Sequence, residues 1–364
     1  MGLVVKELRL ADFRSFERLE LHPSEGVTIL VGPNAAGKTN TVEALQLLTA
    51  GSSFRKPTPR QLVRDGAETA RIDARLEGDG RVVDVRCDVM TTPPARRFSR
   101  NGKRCQASEV PESLMSVLFS PDDLALVKRG ASVRRDELDG FGRQASSGFS
   151  RVLSEYQRAV EQRNRLLKEE RPDLSLLDAW DASVALGGSA VLSARLRLFS
   201  RLADKLREAY ASISSGEELE CRYVCSLGEG ALVSDRESLR ELFLECLAST
   251  RENDLRRQQT CVGPHRDDIQ FLVSGRDARA FASQGQQRSI ALALKMAEVE
   301  LAEEILGERP VLLLDDVMSE LDERRRAAVV DFVGRGIQTL ITTTNLGYFS
   351  HAILEYAEVV SFGG

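Results

Sequence analysis

Eight consecutive residues, Gly32, Pro33, Asn34, Ala35, Ala36, Gly37, Lys38 and Thr39, satisfy the pattern G-x-x-x-x-G-K-[ST] at every fixed position. They follow the apolar run Val27–Val31 and precede a helical pattern from about Lys38 to Leu48, the strand–loop–helix context in which such a loop works. The chemistry explains the residue types. Glycines let the backbone curl until its N–H groups face phosphate oxygens, and the helix start adds partial positive charge. Lys38 is placed to reach the β- and γ-phosphates of ATP, the Thr39 hydroxyl to ligate Mg²⁺, and Asn40 follows on the same helix. A second group completes the set: the run Val311–Leu314 ends in Asp315 and Asp316. A buried strand does not tolerate adjacent acids unless a site uses them. Asp315 is expected to hold Mg²⁺ through water, and Asp316, with Lys38, to act on the attacking water and the γ-phosphate.

A third motif lies between these two in the chain. Ser283, Gln284, Gly285, Gln286, Gln287 and Arg288 open a strong helical pattern, and a serine at a helix start makes a second anion-binding terminus. One ATP does not need two cradles from one face of one chain. The three motifs in this order resemble the ABC-type ATPases, whose subunits face each other head to tail. The resemblance implies that Ser283, Gly285 and Gln286 cap the γ-phosphate held by a second copy, in an ATP-dependent homodimer.

The elements that must position these residues are legible as texture. Val4–Leu10 and Leu19–Leu21 alternate as strands do, as do residues 69–106, with Asn101–Gly102 as a two-residue hairpin turn. From about Ser132 to Tyr210 long helical stretches appear, separated near Pro172. Strand patterns return at Glu218–Ser226, Asp268–Val273, Val311–Asp315 and Gln338–Thr343. Helical patterns run over Asp235–Asp254, Gln284–Leu306 and Arg324–Gly334. The fold class expected is α/β: an ABC-type ATPase head with a mixed sheet core, plus a short helical lobe. No sustained heptad seam predicts a long coiled coil. The expected division is 1–131 for the first part of the ATPase domain, 132–258 for the helical lobe, and 259–364 for the second part of the ATPase domain.

Composition bounds the rest. A chain of 364 residues with 42% hydrophobic and 29% charged residues reads as soluble and globular. No apolar run nears the roughly 20 residues that span a bilayer, and the N-terminus is not a signal peptide, so a cytoplasmic protein with no membrane partner is expected. The net charge of −5 excludes a dedicated, strongly basic nucleic-acid binder, so any DNA contact comes from local patches. Six cysteines without a C-x-x-C pair are expected to be reduced; Cys221 and Cys225 either face each other or are small apolar strand residues.

Several runs resemble the RecF family in particular: Phe13-Arg14-Ser15-Phe16, Lys38-Thr39-Asn40, Glu43-Ala44, Ser53-Phe54-Arg55, Phe119 to Leu124, Arg134-Arg135 with Leu138-Asp139, Gly263-Pro264-His265-Arg266-Asp267-Asp268, and Leu314 to Val317 with Ser319 to Asp322. They extend over nearly the whole chain, while about 145–260 matches only in texture. The resemblance implies a recombination mediator acting on gapped DNA or single-strand/double-strand junctions in repair, replication recovery and SOS induction. It implies RecR and RecO as partners and a weak, DNA-stimulated ATPase. Two departures from the wider ABC pattern stand out. Asp316 replaces a glutamate and is one methylene shorter, which predicts slow turnover, and Thr344 stands where transporters carry a switch histidine. A transporter motor or an SMC-like DNA tether fits less well. The stretch from Thr39 to Ser283 is too long for the first and too short for the second, and no separate metal-carboxylate cluster points to a nuclease.

The basic residues divide into three sets. Arg96, Arg97, Arg100, Lys103 and Arg104 surround the Asn101–Gly102 turn with no acid among them, as phosphate contacts or as a solvated edge that blocks aggregation. Arg134 and Arg135 either face DNA or pair with Asp136, Glu137 and Asp139, and pairing is the expectation. Arg158, Arg163 and Arg165 share a helix with Glu155 and Glu161 and read as a mixed solvated face. His265 and Arg266 beside Asp267 and Asp268 read either as a local ion-pair network or as a group with a structural or nucleotide-linked role.

Overall fold

The computed structural model describes residues 2–214 and 216–363. Its chain forms two compact units, one of residues 1–125, 212–215 and 288–364, the other of residues 126–211 and 216–287.

The first unit holds two sheets. One is parallel throughout, in the order Glu358–Ser361, Val27–Val31, Thr339–Thr343, Val311–Asp315, Ser116–Phe119. Its central strands are covered on both faces: Val311–Asp315 and Thr339–Thr343 are buried at every position. The other sheet is antiparallel, in the order Phe16–Leu21, Val4–Phe13, Thr69–Gly78, Arg81–Thr91, Pro94–Arg100, Lys103–Cys105. The helix Lys38–Ala50 is buried along most of its length. Its Val42, Leu45 and Leu48 share one core with Leu8 and Ile72 of the antiparallel sheet and Leu30, Leu313 and Leu340 of the parallel one. Its apolar residues fill that core, while Thr41, Glu43 and Thr49 are buried with hydrogen bonds of their own.

The parallel register decides the chemistry. Asp315 lies opposite Thr342, Thr342 opposite Leu30, and Thr343 opposite Val31. The carboxyl ends of three neighbouring strands therefore open together, the place where α/β sheets bind ligands. Ser116–Phe119 and Glu358–Ser361 lack a strand signature in the sequence. The first is four residues long, and the second is a mostly exposed edge with no apolar run.

The second unit carries the helices Ala131–Ala145, Ser147–Leu166 and Arg236–Arg257 and most of Leu174–Ile213, with a three-stranded antiparallel sheet, Arg276–Asp277, Asp268–Val273, Leu219–Val224. Leu174–Ile213 runs for 40 residues through Gly187–Gly188. A Cβ on Gly188 would sit 2.3 Å from the Phe243 ring, so the residue serves close packing rather than a break. The expected seams at 131/132 and 258/259 differ from those of the compact units. Residues 259–287 pack with the helical unit because Asp268–Val273 pairs along its whole length with Leu219–Val224.

Buried arginines hold this unit together. Arg163, expected on a solvated face, is 0% exposed. It donates to Asp181 (2.5 Å), Asp254 (2.7 Å) and Thr260 (3.0 Å). Arg134 forms a fork with Asp268 (2.7 and 2.9 Å) and donates to three carbonyls, while Asp139 pairs instead with Arg195 (2.8 and 2.7 Å). Arg135 donates to the Asp267 carbonyl. The expected pairing of Arg134 and Arg135 with their sequence neighbours is thus replaced by long-range partners, because helix burial turns both guanidinium groups toward the sheet.

His265 belongs to the same framework. Its Nε2 lies 3.0 Å from the Thr260 carbonyl and its Nδ1 2.6 Å from the Tyr156 hydroxyl. A carbonyl only accepts, so Nε2 carries the hydrogen and Nδ1 accepts from tyrosine. Burial lowers the ring's pKa to about 4, which keeps it neutral. Asp267 accepts from Tyr223 (2.8 Å) and the Ser226 N–H (2.8 Å). The distinctive Gly263–Asp268 run is accounted for by these structural bonds. Cys221 lies within its strand, Cys225 follows it, and both are free thiols.

Candidate nucleotide site

The loop Gly32–Lys38 leaves the strand Val27–Val31 and turns into the helix Lys38–Ala50. Gly37 has φ 99°, and a Cβ there would fall 2.4 Å from the Phe16 ring. Only glycine meets both conditions. Asn34 to Asn40, Arg55, Asp316 and Thr342 line a cavity of about 170 Å³.

The cations and carboxylates at this cavity are tightly tied. Lys38 is 7% exposed, and its ammonium donates to the carbonyls of Gly32 (2.7 Å) and Pro33 (2.8 Å). An ammonium has three hydrogens, so one remains for a phosphate oxygen. Asp315 accepts from the hydroxyls of Thr39 and Thr342, each at 2.8 Å, on the same oxygen. Thr39 and Asp315 are thus brought together from positions far apart in the chain, as a Mg²⁺ site of hydroxyl plus carboxylate requires. The donor set is all oxygen and fits a hard cation.

Asp316 is held differently. Its backbone sits at φ 53°, a left-handed conformation that aspartate tolerates better than most residues. Its N–H bonds both the hydroxyl (3.0 Å) and the carbonyl (3.2 Å) of Thr342. Its Oδ1 is buried and has no hydrogen-bond partner among the described residues. Leaving such an acceptor unmet costs ~1–3 kcal/mol, and the site retains it at the cavity. Burial raises the carboxyl above its ordinary pKa. Asp315 and Glu320 add to the shift, and Lys38 opposes it.

Two residues at the site had no role assigned from sequence. Thr342, rather than the exposed Thr344, contacts the acidic pair. Arg55 donates to Asn40 Oδ1 (3.0 Å) and approaches Glu43 (3.4 Å). Glu43 is 0% exposed and accepts from Arg14 (2.8 and 2.7 Å) and Ser53 (2.6 Å). Runs containing Arg14, Glu43 and Arg55 had entered the resemblance above. Their meeting around one carboxylate is a tertiary fact.

Ser283 starts the helix Gln284–Leu306. Its N–H donates to Gln286 Oε1 (2.7 Å), and Gln286 N–H donates back to Ser283 Oγ (3.2 Å), a reciprocal cap. The Gln286 Nε2 donates to Glu217 (2.7 Å). Gln286, expected as a nucleotide contact, therefore has its carboxamide engaged within its own chain. Ser283 is exposed, and Phe281, two residues earlier, is 71% exposed.

The hairpin Pro94–Cys105 presents its cations on two faces. Register pairs Arg104 with Ser99 and Lys103 with Arg100. Alternation then places Arg97 and Arg104 on one face and Arg96, Arg100 and Lys103 on the other. Arg100 is engaged by Glu112 (3.6 Å) and Ser113 (3.4 Å). Arg96, Arg97, Lys103 and Arg104 are exposed, with no ion pair among the described residues. One further grouping is Glu7, Glu20 and His22, whose ligand atoms lie within 4.8 Å of one another. Glu7 is paired with Arg9 there, and His22 with Glu20.

Residues 4–361 match the family model described as the RecF/RecN/SMC N terminal domain. A DNA replication and repair protein RecF from Desulforudis audaxviator is 41% identical over 344 residues, covering 92% of this chain and 92% of that protein. The chain belongs to the RecF family. Another family member, from Lactobacillus johnsonii, is 34% identical over 98% of this chain and 96% of its own length. The solved recombination mediator protein RecF in its RecF-ATP form superposes with a TM-score of 0.88 at 32% identity, over 96% of this chain and 94% of that one. The Smc head domain of Pyrococcus furiosus, at 18% identity and a TM-score of 0.54, shares the fold. The ABC-type head expected from the three motifs is therefore the fold observed. No helix among the described residues is long and apolar enough to cross a membrane.

Proposed function

We propose that this chain is an ATP-gated DNA clamp of the recombination-mediator kind, working in the cytoplasm. ATP binding closes a homodimer, and slow hydrolysis, stimulated by DNA, reopens it. The observation that carries this reading is the convergence of Lys38, Thr39 and Asp316 on one cavity, with Asp315 hydrogen-bonded to Thr39 beside it. Lys38 and the loop N–H groups bind the phosphates. Thr39 and Asp315 hold Mg²⁺, which when bound supplies charge stabilisation to the transferring phosphoryl group. Asp316 orients the attacking water. Ser283 caps the γ-phosphate bound by a second copy, with exposed Phe281 beside it as an apolar anchor for that copy. The relatives named for DNA repair and recombination support action at single-strand gaps or junctions, in repair, replication recovery and SOS induction, with RecR and RecO as partners.

Sedimentation with and without ATP tests the gate. The parent is predicted to pass from monomer to dimer with ATP, and Lys38→Met to remain monomeric. Equal dimerisation of both proteins would refute the gating model. DNA binding across salt tests the hairpin. Each phosphate neutralised releases counterions and contributes about 0.9 to the slope of log K against log salt, so removing two gripping cations lowers the slope by roughly 2. The pair Arg97→Ala with Arg104→Ala and the pair Arg96→Ala with Lys103→Ala separate the two faces. A slope unchanged by either pair removes the hairpin from the DNA interface.

A further inference from the structure

We infer that Glu217 is a positioning residue that couples the long helix Leu174–Ile213 to the start of the Ser283 helix, and so governs how well Ser283 caps a partner's nucleotide. This rests on the reading that Ser283 faces the γ-phosphate of a second copy.

The coupling is a chain of hydrogen bonds within one compact unit. Tyr210, near the end of the long helix and 0% exposed, donates its hydroxyl to Glu217 Oε2 at 3.1 Å. Glu217 Oε1 accepts from Gln286 Nε2 at 2.7 Å. The other end of that carboxamide, Gln286 Oε1, accepts from the Ser283 N–H at 2.7 Å. The Gln286 N–H returns to Ser283 Oγ at 3.2 Å.

The order of donors and acceptors gives the chain its effect. A carboxylate only accepts, so Glu217 forces the amide of Gln286 to turn its NH₂ outward and its oxygen toward Ser283. A flipped amide would set two donors against each other at the Ser283 N–H. With the amide fixed, one lone pair of Ser283 Oγ is taken by the Gln286 N–H, and its hydroxyl hydrogen remains free to donate to an anion. Glu217 therefore never touches the nucleotide, yet it sets the polarity of the group that would. The buried Tyr210 ring ties this carboxylate to the long helix, so a load on the helical unit reaches the cap.

Four variants test the inference in the full-length protein: Glu217→Ala, Glu217→Gln, Tyr210→Phe and Ser283→Ala. The readouts are binding of a fluorescent ATP analogue to the monomer, ATP-dependent dimerisation, and ATPase KM and kcat. Losing a hydrogen bond to a charged group predicts a drop of about tenfold in dimerisation and kcat for Glu217→Ala, with monomer nucleotide binding unchanged. Glutamine at 217 keeps an acceptor for Gln286 and a donor for the tyrosine oxygen, so Glu217→Gln restores most of the effect, and Tyr210→Phe falls between. Glu217→Ala dimerising as the parent does, or glutamine failing to rescue, overturns the coupling. A Ser283→Ala protein that dimerises normally overturns the capping reading beneath it.

Discussion

Asp316→Asn is expected to slow ATP turnover by roughly 10²- to 10³-fold while leaving nucleotide binding nearly unchanged, so that the ATP-bound dimer accumulates. The substitution removes only the charge. Asparagine tolerates the left-handed conformation at φ 53° as readily as aspartate, and the two backbone bonds to Thr342 are untouched. What is lost is the negative charge of a carboxylate that lines the cavity and whose buried Oδ1 has no partner among the described residues. The pH profile gives an independent check. Burial raises this carboxyl's pKa, so the active, ionised form is lost at a higher pH than for an ordinary aspartate, and the acid limb of kcat moves up accordingly. In the asparagine variant that limb disappears. The stability sign follows from the same shift. A carboxyl raised in the folded state disfavours folding once it ionises, so at neutral pH Asp316→Asn is expected to melt slightly above the parent. Parental turnover in Asp316→Asn would remove Asp316 from the reaction.

The phosphate loop and the acidic strand end are legible because each is a local pattern. Residue type, spacing and the flanking apolar strand all lie within about a dozen positions of one another, and the hydrophobic period reports the element that carries them. The strand Val27–Val31 and the helix Gln284–Leu306 fall where periodicity puts them for the same reason. Periodicity says nothing about which strands are neighbours. Thr342 joins the site only because Thr339–Thr343 lies beside Val311–Asp315 in the parallel sheet, and Thr344, two residues on, is equally plausible in the sequence alone. Arg55 approaches the phosphate loop because a buried Glu43 gathers Arg14 from one segment and Ser53 and Arg55 from another. Residues 259–287 join the helical unit through a strand pairing with Leu219–Val224 that no local window contains. The misplacement of Arg163 has another cause. Arg163 falls in helical register with the apolar stripe Phe149, Leu153, Tyr156 and Val160, but an arginine there reads as solvated until the acids brought by other segments, Asp181 and Asp254, are known to compensate its charge.

That burial carries the second large prediction. Asp254→Ala is expected to destabilise the protein by about 3 kcal/mol, because it leaves the buried guanidinium with one carboxylate, Asp181, which it shares with Arg251. Arg163 is 0% exposed, and its Nη2 already lacks a partner among the described residues, so it has no spare acceptor to fall back on. Asp254 also accepts from the Cys261 N–H at 3.0 Å, and that donor would be stranded with it. A loss of this size lowers the melting temperature on the order of 10 °C. Arg165→Ala, two positions along the same helix, is the control. Arg165 pairs with Glu161 at 2.6 Å, but both side chains are well exposed. Exposed pairs of this kind contribute only about 0.3–0.5 kcal/mol, so its melting curve should overlay the parent's. Thermal denaturation followed by circular dichroism separates the two variants. If Asp254→Ala melts with the parent, the buried arginine is satisfied by something other than this carboxylate, and the helical unit is held by its apolar contacts alone.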